Sequence, residues 1–266
     1  MSRPIPARGD VPLPDPPVQR PRATWTVFHS FGIFFLGNVI IGQALVGLIV
    51  LYLLGATVGP TDGATTPILV ASLFADIAMA ATIVVWLRLR HEPIVPLLGV
   101  PERGRWMTEI AIGIASGAIL YVVVDFAVAN GVTWLVQEVS NKHVVSPHQL
   151  SPALSTAGKV LAAFVSIAIA PAAEELFFRG ILFRGVRDRR GFVPAAAVSS
   201  VAFGLAHWGT GDWRGSLILV LSMMVTGLGL AFLYEHRKNL VTNIAAHAMF
   251  NIIGIVLLFR FPKFGT

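Results

Sequence analysis

The sequence predicts an all-α integral membrane protein, a polytopic bundle of about seven transmembrane helices. Of its 266 residues, 55% are hydrophobic and only 13% are charged, and the mean hydropathy is +0.73. Soluble domains carry about 25% charged residues, so this chain has too little polar surface to cover a soluble globule of its size. Its apolar residues also fall into seven long stretches, most of them close to the roughly 20 residues that cross a bilayer as a helix.

The chain divides into a tail and a membrane domain. Residues 1–24 contain seven of the 17 prolines and have no apolar period, which predicts a disordered N-terminal tail. Residues 25–266 are predicted to form the transmembrane helical domain. Its spans are predicted at 28–54, 67–87, 108–136, 157–180, 194–208, 216–234 and 240–259. The fifth is short and is expected to be tilted, broken or only partly spanning.

The distribution of Lys and Arg predicts the topology. With seven spans, the segments on one side carry 15 of the 20 Lys and Arg residues and those on the other side carry five. Basic loops face the cytoplasm, so the N-terminus is predicted to be cytoplasmic and the C-terminus outside. The sequence pI of about 10.3 is explained by these loops at an anionic lipid surface, and no nucleic-acid partner is expected.

Ionisable side chains inside a membrane are costly and are therefore candidates for function. Glu174 and Glu175 lie next to each other in the fourth span, and Arg179 follows. Glu175 and Arg179 have the i, i+4 spacing of a favourable ion pair, whereas Glu174 is rotated about 100° away. The spacing predicts that Glu175 is structural and that Glu174 is free to act.

Two further spans add polar residues. His207 ends the fifth span, while His247 and Asn251 lie four residues apart on the seventh and share a face. In a bundle these residues can converge with Glu174. Glu174 with a His can deprotonate a water, and the other His with Asn251 can stabilise an oxyanion. Alternatively, Glu174, His207 and His247 can ligate zinc, or all of these residues can be polar packing contacts.

The three motifs together, Glu-Glu-x-x-x-Arg, Phe-x-x-x-His and His-x-x-x-Asn, resemble the CPBP family. That family comprises type II CAAX prenyl endopeptidases and the bacteriocin-processing or self-immunity proteins of the Abi group. The resembling region runs from about 170 to 255. The resemblance implies an all-helical intramembrane protease, described for the family either as a metalloprotease or as a glutamate protease without metal.

Carried onto this sequence, the resemblance implies a role for each residue. Glu174 corresponds to the glutamate that activates water, and His207 to its partner. His247 and Asn251 correspond to the oxyanion-stabilising pair, and the supporting pair is Glu175 with Arg179. One difficulty is that Glu174 and His207 are predicted to lie at different depths in the membrane. With a cytoplasmic loop at 184–190, Glu174 lies about 15 Å from the loop and His207 about 24 Å along a straight helix.

The function expected from these observations is hydrolysis of a hydrophobic or membrane-anchored peptide or protein within the cell membrane, in a cavity open toward the cytoplasmic leaflet. Two rival functions stay open. One is a non-catalytic immunity or scaffold protein of the same fold. The other is a proton-coupled transporter that uses Glu174 with Asp76 and Asp125 of the second and third spans, although the internal repeat typical of transporters is not evident. Each aspartate is instead expected to be paired with a Ser, Thr or Asn side chain or a water within the bundle.

Overall fold

The computed structural model describes residues 21–55, 64–144, 150–151, 154–209 and 212–260. This part of the chain is helical, apart from turns and a single bridge between Ala64 and Leu150. The helices are α1 (Val27–Leu53), α2 (Thr66–Leu89), α3 (Ile94–Leu98), α4 (Trp106–Ser140), α5 (Thr156–Arg190), α6 (Phe192–Ala206), α7 (Trp213–Arg237) and α8 (Leu240–Arg260).

The predicted all-α membrane bundle is confirmed. Six of the described helices are long and apolar enough to cross a bilayer, namely α1, α2, α4, α5, α7 and α8. Each of these helices covers one predicted span, and all but α5 end within a few residues of the prediction. α6 is the predicted short fifth span and has 15 residues, about 22 Å of helix, which is less than the roughly 30 Å of a hydrocarbon core. The chain is therefore an integral membrane protein. Of the predicted tail, residues 1–20 lie outside the described residues.

The predicted end of the fourth span was wrong. α5 does not stop near residue 180 but continues through the arginine-rich segment to Arg190, and the chain turns at Gly191, whose φ is +86°. The arginines do not need a loop because they have partners within the protein. Arg187 pairs with Glu235 of α7 at 2.6 Å, and Arg184 donates to the Pro21 carbonyl at 2.6 Å.

This correction removes the difference in depth between the site residues. Glu174 lies 17 residues before Gly191 and His207 lies 16 residues after it. Along two antiparallel helices that meet at Gly191, both positions are about 25 Å from the turn. The α5–α6 hairpin therefore brings Glu174 and His207 to the same level.

α5 is locally widened on both sides of the two glutamates. Val165–Ile169 and Leu176–Phe183 are π-helical, and Ala170–Glu175 between them is α-helical. Ala170 donates to the Val165 carbonyl, five residues back. The next bond of this register would need a donor at residue 171, but Pro171 has no N–H. The Ser166 carbonyl is thus left for another donor. Single π turns often occur at functional sites.

Two glycines let α8 approach α4 closely. A Cβ on Gly113 would lie 2.4 Å from the Thr242 carbonyl oxygen, and a Cβ on Gly117 would lie 2.1 Å from that of Ala246. Small residues at such crossings are typical of membrane helices. The Gly113-x-x-x-Gly117 face is therefore used for packing inside the chain, and it determines how deeply α8 enters the bundle.

One end of the bundle, which we call the basic face, comprises residues 21–25, 88–105, 184–191 and 235–239. Ion pairs and hydrogen bonds connect these segments, namely Arg187 to Glu235 at 2.6 Å, the Ala23 amide to Asp188 at 2.7 Å and Arg90 to Thr24 at 3.4 Å. All of these segments were predicted to lie on the cytoplasmic side. The predicted grouping is thus present in the fold, while the side of the membrane that the basic face occupies stays a prediction.

Candidate functional site

A buried ion pair forms the base of the site. Glu175 and Arg179 are both fully buried, and Nη1 of Arg179 lies 2.6 Å from Oε1 of Glu175. Nη2 of the same guanidinium donates to the Gly227 carbonyl of α7 at 3.1 Å. A charge-assisted bond of this length is strong. The pair anticipated from the i, i+4 spacing is therefore present, and it connects α5 to α7.

Asn243 is a second partner of Glu175 and was missed at the sequence level. Its Nδ2 donates to Oε2 of Glu175 at 3.2 Å and to the Leu230 carbonyl of α7 at 2.8 Å. The available signal was its spacing. Asn243, His247 and Asn251 recur every four residues on α8 and form one polar stripe along a mostly apolar helix.

His247 lies between the two glutamates. Its side chain is 4% exposed. Nδ1 lies 2.9 Å from Oε1 of Glu175, and Nε2 lies 3.8 Å from Oε2 of Glu174. The first distance is that of a hydrogen bond and the second is too long for one. One edge of the imidazole is thus held by Glu175, and the other edge faces Glu174 across a gap that one water can bridge.

Glu174 differs sharply from its neighbour. Its side chain is 21% exposed, so it reaches an accessible space. Its Oε2 atom is nevertheless buried and has no hydrogen-bond partner among the described residues. A buried acceptor without a donor is costly, and it is expected where a water or a substrate group binds. The two adjacent carboxylates therefore have the arrangement expected of one structural group and one reactive group.

Phe203 connects the two histidines. Its ring centroid lies 4.6 Å from that of His207 and 5.6 Å from that of His247, and the Arg179 guanidinium lies 4.8 Å from the same ring. Nδ1 of His207 is 2.7 Å from the Phe203 carbonyl oxygen, which is an acceptor. Nδ1 therefore carries the proton of this bond, which leaves Nε2 of His207 available to a ligand.

Asn251 lies one turn beyond His247 and is oriented by α5. Its Nδ2 donates to the Ser166 carbonyl at 2.7 Å, the carbonyl that Pro171 leaves without a backbone donor. This bond uses one of the two amide protons, so the second proton is available to a ligand. The π-helical segment before Pro171 therefore orients the amide of Asn251.

The two membrane aspartates have different surroundings. Asp76 of α2 lies close enough to Glu174 for their charges to interact, because α2 packs against Ala170–Glu175. Asp125 of α4 instead has the Tyr121 hydroxyl of its own helix as a neighbour. Asp125 thus interacts within its own helix, whereas Asp76 lies at the edge of the site.

The zinc alternative requires Glu174, His207 and His247 to converge on one point. Nowhere among the described residues do three His, Cys, Asp or Glu side chains group closely enough to hold a metal ion. Glu174, His207 and His247 are therefore not arranged as a three-ligand zinc set in this structure.

The fold and the site define an integral membrane bundle with a buried glutamate–histidine centre. Residues 156–253 match the model of a family described as type II CAAX prenyl endopeptidase Rce1-like. The matched range contains every residue of the candidate site that lies on α5, α6 and α8. The match confirms the resemblance to type II CAAX prenyl endopeptidases that was inferred from the three motifs.

Similar proteins are found in several bacteria. The chain is 34% identical over 93 residues to the "Putative membrane peptidase YdiL" of Bacillus subtilis, which covers 35% of each chain. It is 31% identical over 86 residues to the "UPF0177 protein YxdF" of Lactococcus lactis, covering 32% of this chain and 44% of that protein. The alignments thus span less than half the length of these relatives. No solved structure matches the chain.

Proposed function

We propose that this protein is an intramembrane endopeptidase in which Glu174 activates a water for attack on a peptide bond. The observation that carries the proposal is the free, buried Oε2 of Glu174, which faces Nε2 of His247 at 3.8 Å. The resemblance to type II CAAX endopeptidases and to the relative named "Putative membrane peptidase YdiL" supports the reaction class.

The residues can perform the reaction in two steps. Water between Glu174 and His247 attacks the carbonyl carbon, and the carbonyl π electrons move to oxygen. One water proton passes to Glu174 or to His247. The second amide proton of Asn251 is suited to stabilise this oxyanion, and we place His207 beside it as a further polar contact of the substrate. The C–N bond then breaks, and the proton is returned to the leaving amine.

The position of the site supports a membrane-embedded substrate. Glu174 lies ten residues from Arg184 on α5, about 15 Å along the helix and close to half the thickness of a bilayer core. A soluble peptide would have to enter the hydrocarbon region to reach it. We therefore propose a hydrophobic or membrane-anchored peptide or protein as substrate, without a metal cofactor.

The first prediction is that Glu174→Gln abolishes cleavage while the protein stays folded. The amide keeps the shape of the side chain but cannot accept the proton, and loss of general acid–base catalysis costs about 10²–10⁴-fold in rate. The measurement is cleavage of a set of membrane-spanning peptides in vesicles, detected by mass spectrometry of new termini. Glu138→Gln, an exposed glutamate near the end of α4, is the matched control.

The same assay separates the rival functions when it includes a chelator. Cleavage by the wild type and by Glu138→Gln, but not by Glu174→Gln, supports the proposal. Cleavage that requires added zinc contradicts the metal-free mechanism. If the wild type cleaves none of the peptides but transports protons in the same vesicles, the transporter is favoured. If it does neither, and Glu174→Gln leaves the cellular phenotype unchanged, the scaffold is favoured.

The second prediction concerns orientation, for which we propose that the basic face is cytoplasmic. Because the chain contains no Cys, single cysteines can be labelled without background. Glu102→Cys precedes α4 at the basic face, and Glu138→Cys lies near the opposite end of that helix. On intact cells, an impermeant maleimide is expected to label Glu138→Cys, and Glu102→Cys only after permeabilisation. The reverse pattern would invert the proposed topology.

A further inference from the structure

The hydrogen bonds around Glu175 determine where His247 carries its proton. Oε1 of Glu175 accepts from Arg179 at 2.6 Å, and Oε2 accepts from Asn243 at 3.2 Å. A carboxylate held by a guanidinium and an amide is ionised, and an ionised carboxylate can only accept hydrogen bonds. The 2.9 Å contact between Glu175 and Nδ1 of His247 therefore requires the proton on Nδ1.

A proton on Nδ1 leaves Nε2 of the neutral imidazole with a lone pair. That lone pair faces Oε2 of Glu174, which is itself an acceptor without a partner among the described residues. Two acceptors 3.8 Å apart gain nothing from each other. They are suited to a single water that donates one proton to each of them, because the water lone pair then points away from both and toward a substrate.

We infer that Asn243 is a positioning residue that, through Glu175, holds His247 in the Nδ1–H tautomer and so makes Nε2 a proton acceptor for the attacking water. The catalytic part of this inference rests on the proposed endopeptidase function, whereas the tautomer does not. The inference also revises the role expected for His247, since a neutral imidazole with a free Nε2 lone pair cannot donate to an oxyanion from that atom.

The proton movement is balanced in this arrangement. As the water oxygen bonds to the carbonyl carbon, the carbonyl π pair moves onto oxygen and one water proton passes to Glu174 or to Nε2. The imidazolium formed in the second case is stabilised by the Glu175 carboxylate, as in other carboxylate–histidine pairs. When the C–N bond breaks, the amine nitrogen takes up this proton and both acceptors are restored.

Asn243 matters because it fixes the second oxygen of Glu175. Arg179 bonds only Oε1 of Glu175, and without a second bond the carboxylate could rotate about that oxygen. Asn243 bonds Oε2 and also donates to the Leu230 carbonyl of α7, which holds the second oxygen in place. Rotation of Glu175 would move the imidazole away from Glu174. A displacement of about 1 Å in a catalytic group can cost about 100-fold in rate.

The decisive experiment is nitrogen NMR of the histidines in full-length protein labelled with ¹⁵N-histidine in lipid. The His247 signals are identified by their absence in His247→Gln. At pH 8 the expected pattern is a protonated Nδ1 and an unprotonated Nε2. An Nε2–H tautomer, or an imidazolium at this pH, overturns the inference. Because the tautomer is read on the wild type, this result does not depend on cleavage being detected.

The role of Asn243 is tested by Asn243→Leu, with Asn130→Leu on α4 as the matched control outside the site. We expect Asn243→Leu to lower kcat about 100-fold with little change in KM and to add a population with the proton on Nε2. A purely structural role would lower the folded fraction and leave the tautomer of the folded protein unchanged, which overturns the assignment. Failure of the wild type to cleave any peptide, with Nδ1 protonated, rejects the proposed function but not the tautomer.

Discussion

Glu175→Gln is expected to lower the thermal unfolding midpoint strongly, whereas Glu174→Gln, which removes the same charge one residue earlier, is expected to leave it unchanged or raise it. Glu175 is fully buried and neutralises Arg179, which is fully buried as well. Removing one partner of a buried pair leaves an uncompensated charge and costs about 3–5 kcal/mol. A penalty of this size is a large part of the stability of most proteins.

The opposite expectation for Glu174 follows from its surroundings. Its Oε2 atom is buried without a donor, and Asp76 and Glu175 add further carboxylates nearby. Replacing a poorly compensated carboxylate with a neutral amide of the same shape removes desolvation cost and like-charge repulsion. Functional sites commonly retain such unfavourable groups, and variants of them are often more stable than the wild type.

Thermal unfolding followed by tryptophan fluorescence in detergent measures both variants against Glu138→Gln, whose parent glutamate is exposed. A large fall in the midpoint for Glu175→Gln alone is the expected pattern. Equal falls for both adjacent variants would mean that Glu174 also holds the bundle together, and the division between a structural and a reactive carboxylate would then be wrong.

The fold could be predicted because membrane spans are defined by composition and length. The bilayer requires a continuous apolar helix for each crossing, so the six long helices follow from runs of apolar residues. The end of α5 did not follow from the same rule. Arg184 and Arg187 resemble a loop in the sequence, but contacts with Pro21 and Glu235, far away in the chain, allow the helix to continue.

The candidate site could be predicted in part for a related reason. Charged residues in an apolar span are conspicuous, and helical spacing alone pairs Glu175 with Arg179. The geometry around them depends on tertiary contacts that spacing does not contain. The roles of Asn243 and of the Ser166 carbonyl follow only from the packing of α8 against α5. In the sequence, an amide in a membrane helix is as compatible with packing as with function.

Gly117→Ala is expected to reduce both stability and any activity, because the site depends on how closely α8 approaches α4. The added Cβ would lie 2.1 Å from the Ala246 carbonyl oxygen, a backbone atom that cannot move without its helix. α8 must therefore shift, at a cost of about 1–3 kcal/mol for overpacking. Ala246 directly precedes His247, so the same shift separates Nε2 from Glu174, and a change of about 1 Å there can lower the rate about 100-fold.

Gly131→Ala provides the matched control on the same helix, because a Cβ at Gly131 has no atom within 4 Å and alanine favours the helix by up to about 1 kcal/mol. The two variants make one chemical change with opposite expected signs. Unfolding midpoints and peptide cleavage are measured for both. If Gly117→Ala keeps full stability and activity, α8 can retreat without disturbing His247, and the close packing on α4 does not position the site. If Gly117→Ala alone loses activity, with only a modest fall in the midpoint, the α4–α8 crossing determines the distance between the imidazole and the free carboxylate.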